Sequence, residues 1–380
     1  DPVLQAGSLP DWRTLLGYLE HHPPALDLVL DEFPYLCQAE PALPSLLQAA
    51  WDRSLQDGSL RLFLCGSSVS FMEQEVLAAP SPLFGRRTGQ MRLGPMDFWS
   101  AQEFVPHFSP AERVEAYACL GGTPAYLAQA ASGTSLAEGL LTRVLDPVAY
   151  LFEEPRLLLH QELRELKHYF ALLTAIAAGK TRLNEIAQDV GLERTFVTRY
   201  LDVLSRLELI DREVPVTEAN PQRSRKGLFR ICDPFFRFWF RFVAPNLTEL
   251  TLGEADWILR DRILPGLDHF VAQTFEEVCR QWIRRRAELP FRPQRVGRWW
   301  DSRAEIDVVA YDDRWLLVGE CKWSRRRVGG DSLRQLRERR QALPGYERHR
   351  TLYALFSRSG FEAVERAPDV LLVDLSTLLG

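Results

Sequence analysis

Nothing in these 380 residues reads as a membrane span, a leader, an internal repeat or a low-complexity tract. No apolar run approaches the roughly 18 residues that a bilayer-crossing helix needs. The N-terminus lacks the order of charged, apolar and small residues that marks a signal peptide. The six cysteines (Cys37, Cys65, Cys119, Cys232, Cys279 and Cys321) are scattered, with no CxxC and no histidine at ligand spacing. That argues against a zinc site and a disulfide framework, and it fits a reducing cytosol, so a cytoplasmic location is expected. The chain starts at Asp1 rather than methionine, so a longer natural protein is expected.

What is present describes an ordinary globular chain, with 46% hydrophobic and 26% charged residues. Its length calls for about two to four domains. The formal net charge of -5 is unevenly spread. Asp268 to Gly380 holds 21 Lys+Arg against 17 Asp+Glu, and the remainder 25 against 34. The basic end is nearly all arginine, clustered at Arg284–Arg286 and Arg325–Arg327. Such clusters neutralise phosphates or form a solvated surface, and charge alone leaves both readings open.

"ALDLVLDEF", from Ala25 to Phe33, is a near-continuous apolar run that ends in two acids. "LRLFLCGSS", from Leu60 to Ser68, is a second such run, and a helical stretch over about Pro44 to Gln56 lies between them. Two apolar strands joined through a helix predict a buried parallel α/β sheet. From Pro106 to about Leu159 the pattern is helical, interrupted by "GGTP" at Gly121–Pro124. Leu183, Ile186, Ala187 and Val190 then give one helical face, Gly191 a turn, and Val197, Leu201 and Leu204 a second face. That is helix-turn-helix spacing. "LIDREVPV" and "GLFRIC" read as strands around a polar loop, Thr217 to Lys226, which would be a wing. In "FFRFWFRF" the aromatics recur at helical spacing, which predicts packing rather than base stacking. The last part alternates strands and helices.

Within that last part, "AEIDVVAY" and "RWLLVGECKW" place Asp307, Glu320 and Lys322 in apolar runs. Charges in such runs are costly unless paired or bound to a metal. Side chains alternate along a strand, so Glu320 and Lys322 project together while Cys321 points the other way. A hairpin through "YDDR" would bring Asp307 level with Glu320. Two carboxylates and the carbonyl of Cys321 form an oxygen-rich set suited to Mg²⁺ or Mn²⁺. A lysine beside it orients a water or stabilises charge on a transferring phosphate. The simpler alternative is a salt bridge at a strand end.

These residues resemble the PD-(D/E)XK restriction-endonuclease-like superfamily. By that likeness Asp307 and Glu320 hold metal, Lys322 assists the water, and the earlier helical acid, Glu276 in "TFEEVCRQW", supports the site. Ile306 departs from the pattern, standing where a proline would precede the aspartate. Upstream, "LVLDEF" resembles the Walker B strand of a P-loop ATPase, which implies Asp31 in a magnesium shell and Glu32 polarising a water. "LFLCGSS" looks like a sensor strand, with Ser67 or Ser68 near a γ-phosphate. "SPLFGRRTGQ" supplies Arg86 and Arg87 as candidates for transition-state charge or a partner's nucleotide.

The order Walker B, "GSS", "GRRT", "GGTP", winged helix and nuclease-like end resembles the archaeal-type ATPase family of the AAA+/STAND class, whose C-terminal region is the domain of unknown function 234. "WDRSLQDGSLRLFLCGSSVSFMEQEVL", "SPLFGRRTGQ" and "CDPFFRFWFRFVAPN" carry the likeness. Yet no G-x-x-x-x-G-K-[ST] loop occurs in the chain, so the ATP of an intact family member has no phosphate cradle here. The resemblance implies a partial P-loop ATPase sheet (1–105), a helical lid (106–160), a winged helix-turn-helix (161–245) and a nuclease-like α/β domain (246–380).

Duplex DNA is the expected partner. Arg194, Thr195, Thr198, Arg199 and Arg206 would be exposed on the recognition helix, with Arg223, Arg225 and Lys226 at the wing tip. Asp202 and Glu193 dilute that charge, and winged helices within ATPases also act as protein-binding modules, so a protein partner or a second copy stays open. The leading expectation is a DNA-associated ATPase-family protein with a Mg²⁺-dependent nuclease-like domain. The alternatives are a non-enzymatic DNA-binding regulator and an NTP-driven switch whose winged helix contacts protein.

Overall fold

The computed structural model describes residues 11–21, 25–67, 71–163, 165–285 and 287–380. The chain divides into two compact units, Asp1–Leu93 and Gly94–Gly380. Among the described residues no helix is long and apolar enough to cross a membrane.

In the first unit, α1 (Trp12–His21), α2 (Phe33–Ala39) and α3 (Leu43–Arg53) accompany β1 (Asp27–Leu30) and β2 (Arg61–Leu64). The two strands pair in parallel from Asp27↔Arg61 to Leu30↔Leu64. Leu16, Leu19, Leu30, Phe33, Leu43 and Leu47 form the core beneath them. The sequence predicted strands buried on both faces, and the structure corrects this: Val29 is 55% and Phe63 46% exposed. These two side chains are cross-strand partners, so they share the face that no described helix covers. The apolar run was also expected to stay extended to Phe33. It stops at Leu30 because Glu32 takes a left-handed conformation (φ 48°) and Phe33–Pro34 open α2. The helix read over Pro44–Gln56 forms as α3 plus a 3-10 turn, Leu55–Asp57.

The second unit begins with short helices: α4 (Phe98–Gln102), α5 (Pro110–Leu120), α6 (Pro124–Ala130), α7 (Leu136–Arg143) and α8 (Tyr150–Glu162). "GGTP" separates α5 from α6 for a steric reason. Gly121 ends α5 at φ 71°, and a Cβ on Gly122 would collide with the Met96 backbone, where Met96 N–H donates to Gly122 O at 2.9 Å.

Next come α9 (Leu166–Ala177), α10 (Leu183–Val190) and α11 (Arg194–Arg206), then an antiparallel hairpin of β3 (Ile210–Glu213) and β4 (Leu228–Ile231). Ile186, Ala187, Val197, Leu201 and Leu204 are all buried, as their spacing required, and Gly191 makes the turn between α10 and α11 at φ 67°. The aromatic tract follows as α12 (Pro234–Phe238) and wider helical turns to Val243. Phe235, Phe236, Phe238, Trp239, Phe240 and Phe242 are buried, and Trp239 Nε1 donates to Phe152 O at 2.7 Å. These rings are core.

Helix α13 (Leu264–Arg285) then leads into a five-stranded sheet in chain order: β5 (Arg295–Trp300), β6 (Glu305–Tyr311), β7 (Trp315–Lys322), β8 (Arg350–Ser357) and β9 (Val370–Asp374). β5, β6 and β7 are antiparallel neighbours, while β7, β8 and β9 run parallel. Phe275, Val278 and Trp282 of α13 share one core with Val308, Leu317 and Phe356. Leu333 and Leu336 of α14 (Gly330–Gln341) share another with Val309, Val318 and Leu355, so each face of the sheet carries a helix. A last short helix, α15 (Leu375–Leu379), follows β9.

The β3–β4 loop, read as a wing over Thr217 to Lys226, keeps Arg223 and Arg225 exposed, while its start at Val216–Glu218 packs on β5 and β6. Val216 N–H donates to Arg298 O at 2.8 Å, Tyr311 Oη to Val216 O at 3.3 Å, and Arg295 Nη1 to Glu218 O at 3.3 Å. Gly297 lets the strands come this close, since a Cβ there would press into the Val216 side chain.

The collision at Gly122 yields a direct test. Gly122→Ala must displace backbone, so it should cost about 2 kcal/mol or more and lower the melting temperature by several degrees. Gly17→Ala, where a Cβ meets open space, should cost little and is the control. Equal melting temperatures for the two variants would contradict this account of the turn.

Candidate functional site

Across β6 and β7, Val308 pairs with Gly319, so the next step outward sets Asp307 opposite Glu320. Asp307 Oδ2 accepts the Cys321 N–H at 2.8 Å, which pins its carboxylate to the end of β7. Glu320 is 4% exposed, and its two oxygens are held separately. Oε1 accepts from Lys322 Nζ at 2.5 Å, and Oε2 from Arg339 Nη1 on α14 at 2.5 Å. Alternation along β7 puts Lys322 on the Glu320 face, so the lysine and the carboxylate meet without distortion.

Glu276 comes from α13 and has its own partners. Its carboxylate lies 3.5 Å from Arg280 Nη1 and 3.4 Å from Arg298 Nε. Arg280 is 2% exposed and also donates to Glu277 (2.9 Å) and to the Asp307 backbone carbonyl (2.9 Å). Arg298 pairs with Glu305 and with Glu213 of β3 (3.2 Å), and Glu213 in turn holds Arg230 of β4 (2.5 Å). A continuous charge network therefore runs from the hairpin through Arg298 to Glu276, and through Arg280 to the backbone of Asp307.

Burial sets the electrostatics. Water reaches 18% of the Glu276 side chain, yet packing around the carboxyl pushes its pKa up to about 8, with the charge of Asp307 adding to the effect. Burial also raises Asp307, reinforced by Glu320 and opposed by the Cys321 N–H. Glu213 rises through burial against the pull of Arg298. The Arg280 guanidinium stays protonated because Glu277, Glu276 and Glu213 outweigh its desolvation. Acids crowded in a poorly solvated site, where each disfavours its neighbour's ionisation, are a setting that a cation would relieve.

The donor chemistry fits a hard divalent cation: Asp307 and Glu320 are level, and the Cys321 carbonyl stands between Glu320 and Lys322 in sequence. As folded here, however, both Glu320 oxygens are clasped by cations, and Glu276 is held by arginines. Among the described residues no group of three or more His, Cys, Asp or Glu is placed to share one ion. Binding would require Glu320 to exchange Lys322 or Arg339 for metal.

On α11, Arg194, Thr195, Thr198, Arg199 and Arg206 are exposed, and Thr198 Oγ1 donates to Arg194 O at 2.9 Å. Phe196, 52% exposed between them, is an apolar contact that the charge-based reading passed over. Arg223 and Arg225 are exposed, whereas Lys226 pairs with Glu218 at 2.8 Å within the docked loop.

In the first unit, Ser67 Oγ donates to Glu32 Oε2 at 3.0 Å, and Asp31 Oδ1 accepts the Glu32 N–H at 3.0 Å. Phe33 N–H donates to Cys65 O, so the acid pair and the end of β2 form one corner. Ser68 lies outside the described residues. Arg86 spends its guanidinium on Asp52 (2.7 and 2.6 Å) and on the carbonyls of Pro82 and Phe84, and Arg87 donates to Gln90.

Sequence reasoning also missed Arg339, Arg298, Arg280 and Glu213. Arg339 left a signal: it follows Leu333 and Leu336 at three-residue spacing, so it falls on the buried stripe of a helix that is otherwise charged.

Two family models match stretches of the second unit. A profile of the DUF234 family, archaea bacterial proteins of unknown function, matches residues 239–336. A second domain of unknown function, DUF8612, matches residues 111–232. An uncharacterized protein of Methanocaldococcus jannaschii is 31% identical over 372 residues, which is 96% of this chain and 82% of that protein. The chain belongs to that protein's family and carries a DUF234 domain. No solved structure matches it. Glu276, Arg280, Arg298, Asp307, Glu320 and Lys322 all fall within the DUF234 match, while Glu213 falls within the DUF8612 match, so the charge network crosses from one to the other.

A carboxyl that holds its proton more tightly folded than unfolded stabilises the fold at low pH. That contribution is lost as pH rises through the folded value. For Glu276 the window runs from 4.5 to about 8. In chelator, Glu276→Gln should therefore flatten the fall in melting temperature between pH 5 and 8. An unchanged slope would contradict the raised proton affinity of Glu276.

Proposed function

We propose that this protein is a DNA-associated, metal-dependent nuclease-like protein whose centre lies at the ends of β6 and β7. The observation that carries the reading is the placement of Asp307 beside Glu320, with Lys322 hydrogen-bonded to Glu320, Glu320 4% exposed and Asp307 half-buried. Asp307 and Glu320 would hold Mg²⁺ or Mn²⁺, which when bound supplies Lewis-acid activation of water and neutralises phosphate charge. Lys322, released from Glu320, orients a water or meets the charge developing on the scissile phosphate. Glu276 keeps a proton near neutral pH and so can exchange one with a leaving oxygen or with solvent. The α9–α11 helices with the β3–β4 hairpin form a winged helix that would lay Arg194, Thr198 and Arg199 against duplex phosphates, with Arg225 beside them.

The N-terminal unit has the strand, acid pair and serine of an ATPase corner in Asp31, Glu32 and Ser67. Hydrolysis of ATP would also need a phosphate-cradling loop, and no such motif is found in the chain.

One observation favours a second reading, a DNA-binding regulator without cleavage: Arg339 and Lys322 together occupy both oxygens of Glu320. A centre in which that clasp never opens would grip nucleic acid without cutting.

Labelled single- and double-stranded DNA, titrated with Mg²⁺ and Mn²⁺, separates the two. The nuclease reading predicts cleavage that chelator abolishes and that falls about 100-fold or more in Lys322→Ala and Asp307→Ala. Duplex binding with no cleavage by the parent at any metal concentration would replace it with the regulator.

A further inference from the structure

The strands β7, β8 and β9 are parallel and end in register, Lys322 beside Ser357 and Ser357 beside Asp374. Outside the carboxyl ends of parallel strands an open crevice forms, because the connections leave there in different directions. Here it is a cleft of about 710 Å³ that includes Arg327, Arg358 and Arg366 in its lining. Arg327 comes from the loop after β7, and Arg358 and Arg366 from the loop after β8. The two loops are zipped together: Val328 N–H donates to Gly360 O, Glu362 N–H to Val328 O, and Ser359 Oγ to Ser324 O at 2.7 Å. The second loop bends through Gly360 at φ 80° and, unusually for a residue with a Cβ, through Ala363 at φ 49°.

The three arginines have different roles. Arg358 is committed: it pairs with Asp268 at 2.6 Å and Glu115 at 3.0 Å and stacks on Trp323 at 4.6 Å, so it forms a fixed wall. Arg327 and Arg366 are exposed and have no ion pair among the described residues. The acids in the lining are Glu362 and Asp374. Glu362 is exposed at the rim. Asp374 Oδ1 is occupied, accepting from Thr377 N–H (2.9 Å), Thr377 Oγ1 (2.8 Å) and Ser376 Oγ (2.7 Å) as the cap of α15. The uncommitted donors of the cleft are therefore two guanidiniums, and a planar guanidinium fork matches phosphate oxygens.

We propose that this cleft is a phosphate-binding site which takes the backbone of a nucleic-acid strand as it passes Lys322. Continuity favours a strand over a free nucleotide. Arg358 N–H donates to the Lys322 carbonyl at 3.1 Å, so the cleft begins one residue from the candidate centre. The identity of the phosphate's owner rests on the nucleic-acid reading above, whereas the anion chemistry rests on the cleft alone.

The test uses the full chain in chelator, so that binding is read without cleavage. Anisotropy of a labelled duplex is followed across a salt series for the parent, Arg327→Ala/Arg366→Ala and Lys322→Ala. Loss of two phosphate contacts should weaken the double variant about tenfold or more and reduce its log–log salt slope by about 1.8. Thermal melts confirm that the variants fold. If the parent never cuts DNA yet the double variant shows this loss, the cleft stands and the nuclease reading falls. If duplex binding ignores both arginines while inorganic phosphate or ATP binds the parent and not the double variant, the phosphate site stands and its owner is a free phosphate ester. Parent-like binding of duplex, phosphate and ATP by the double variant would overturn the proposal, whatever the cleavage result.

Discussion

A guanidinium with 2% of its surface exposed must be surrounded by counter-charges, and Arg280 places that demand on everything near it. Glu277 meets it from the same helix, one turn back, with the Glu276 carboxyl 3.5 Å away, and the Asp307 carbonyl meets it from β6. Removing one partner of such a buried charge typically costs about 3–5 kcal/mol, and the bond to the Asp307 carbonyl ties α13 to β6. Arg298 extends the same logic to the hairpin by bridging Glu276, Glu305 and Glu213. The helix-turn-helix region and the five-stranded sheet are joined by the charges that also surround the candidate centre. A shift at the hairpin would be felt first at Glu276.

The centre itself depends on strand geometry. Alternation puts Glu320 and Lys322 on one side of β7, the register of β6 brings Asp307 level, and the apolar residues flanking them keep water away. Withdrawal from water is what raises Asp307 and Glu276, and the same withdrawal makes the Lys322 and Arg339 contacts on Glu320 strong. A clasped carboxylate is held in position for later use, or else permanently neutralised. The two outcomes share one ground state and differ in whether metal can displace the cations.

Much of this was legible in the sequence, for local reasons. Strand alternation in "GECKW", the apolar faces around Gly191 and the aromatic spacing in "FFRFWFRF" each depend on neighbours a few residues apart. Arg339 and Arg298 were harder, because these partners lie 19 and 85 residues away in sequence and meet only when α14 and the β3–β4 hairpin pack on the five-stranded sheet. The packing beneath the β3–β4 loop was also out of reach of the sequence: Gly297 opens a gap in β5 that Val216, just before the loop, fills. In the first unit, apolar content alone could not say that Val29 and Phe63 would lie on an uncovered face. Composition reports what a strand would tolerate, and topology decides what covers it.

Isothermal titration of the full chain with Mg²⁺ and Mn²⁺ at neutral pH, repeated in two buffers of different ionisation enthalpy, bears most directly on the claim that these acids await a cation. The account predicts one saturable site that releases protons from the raised acids as metal enters and is lost in Asp307→Asn. Absence of saturable binding at millimolar metal, or binding that survives Asp307→Asn unchanged, would contradict it and leave the charge network as a purely structural joint.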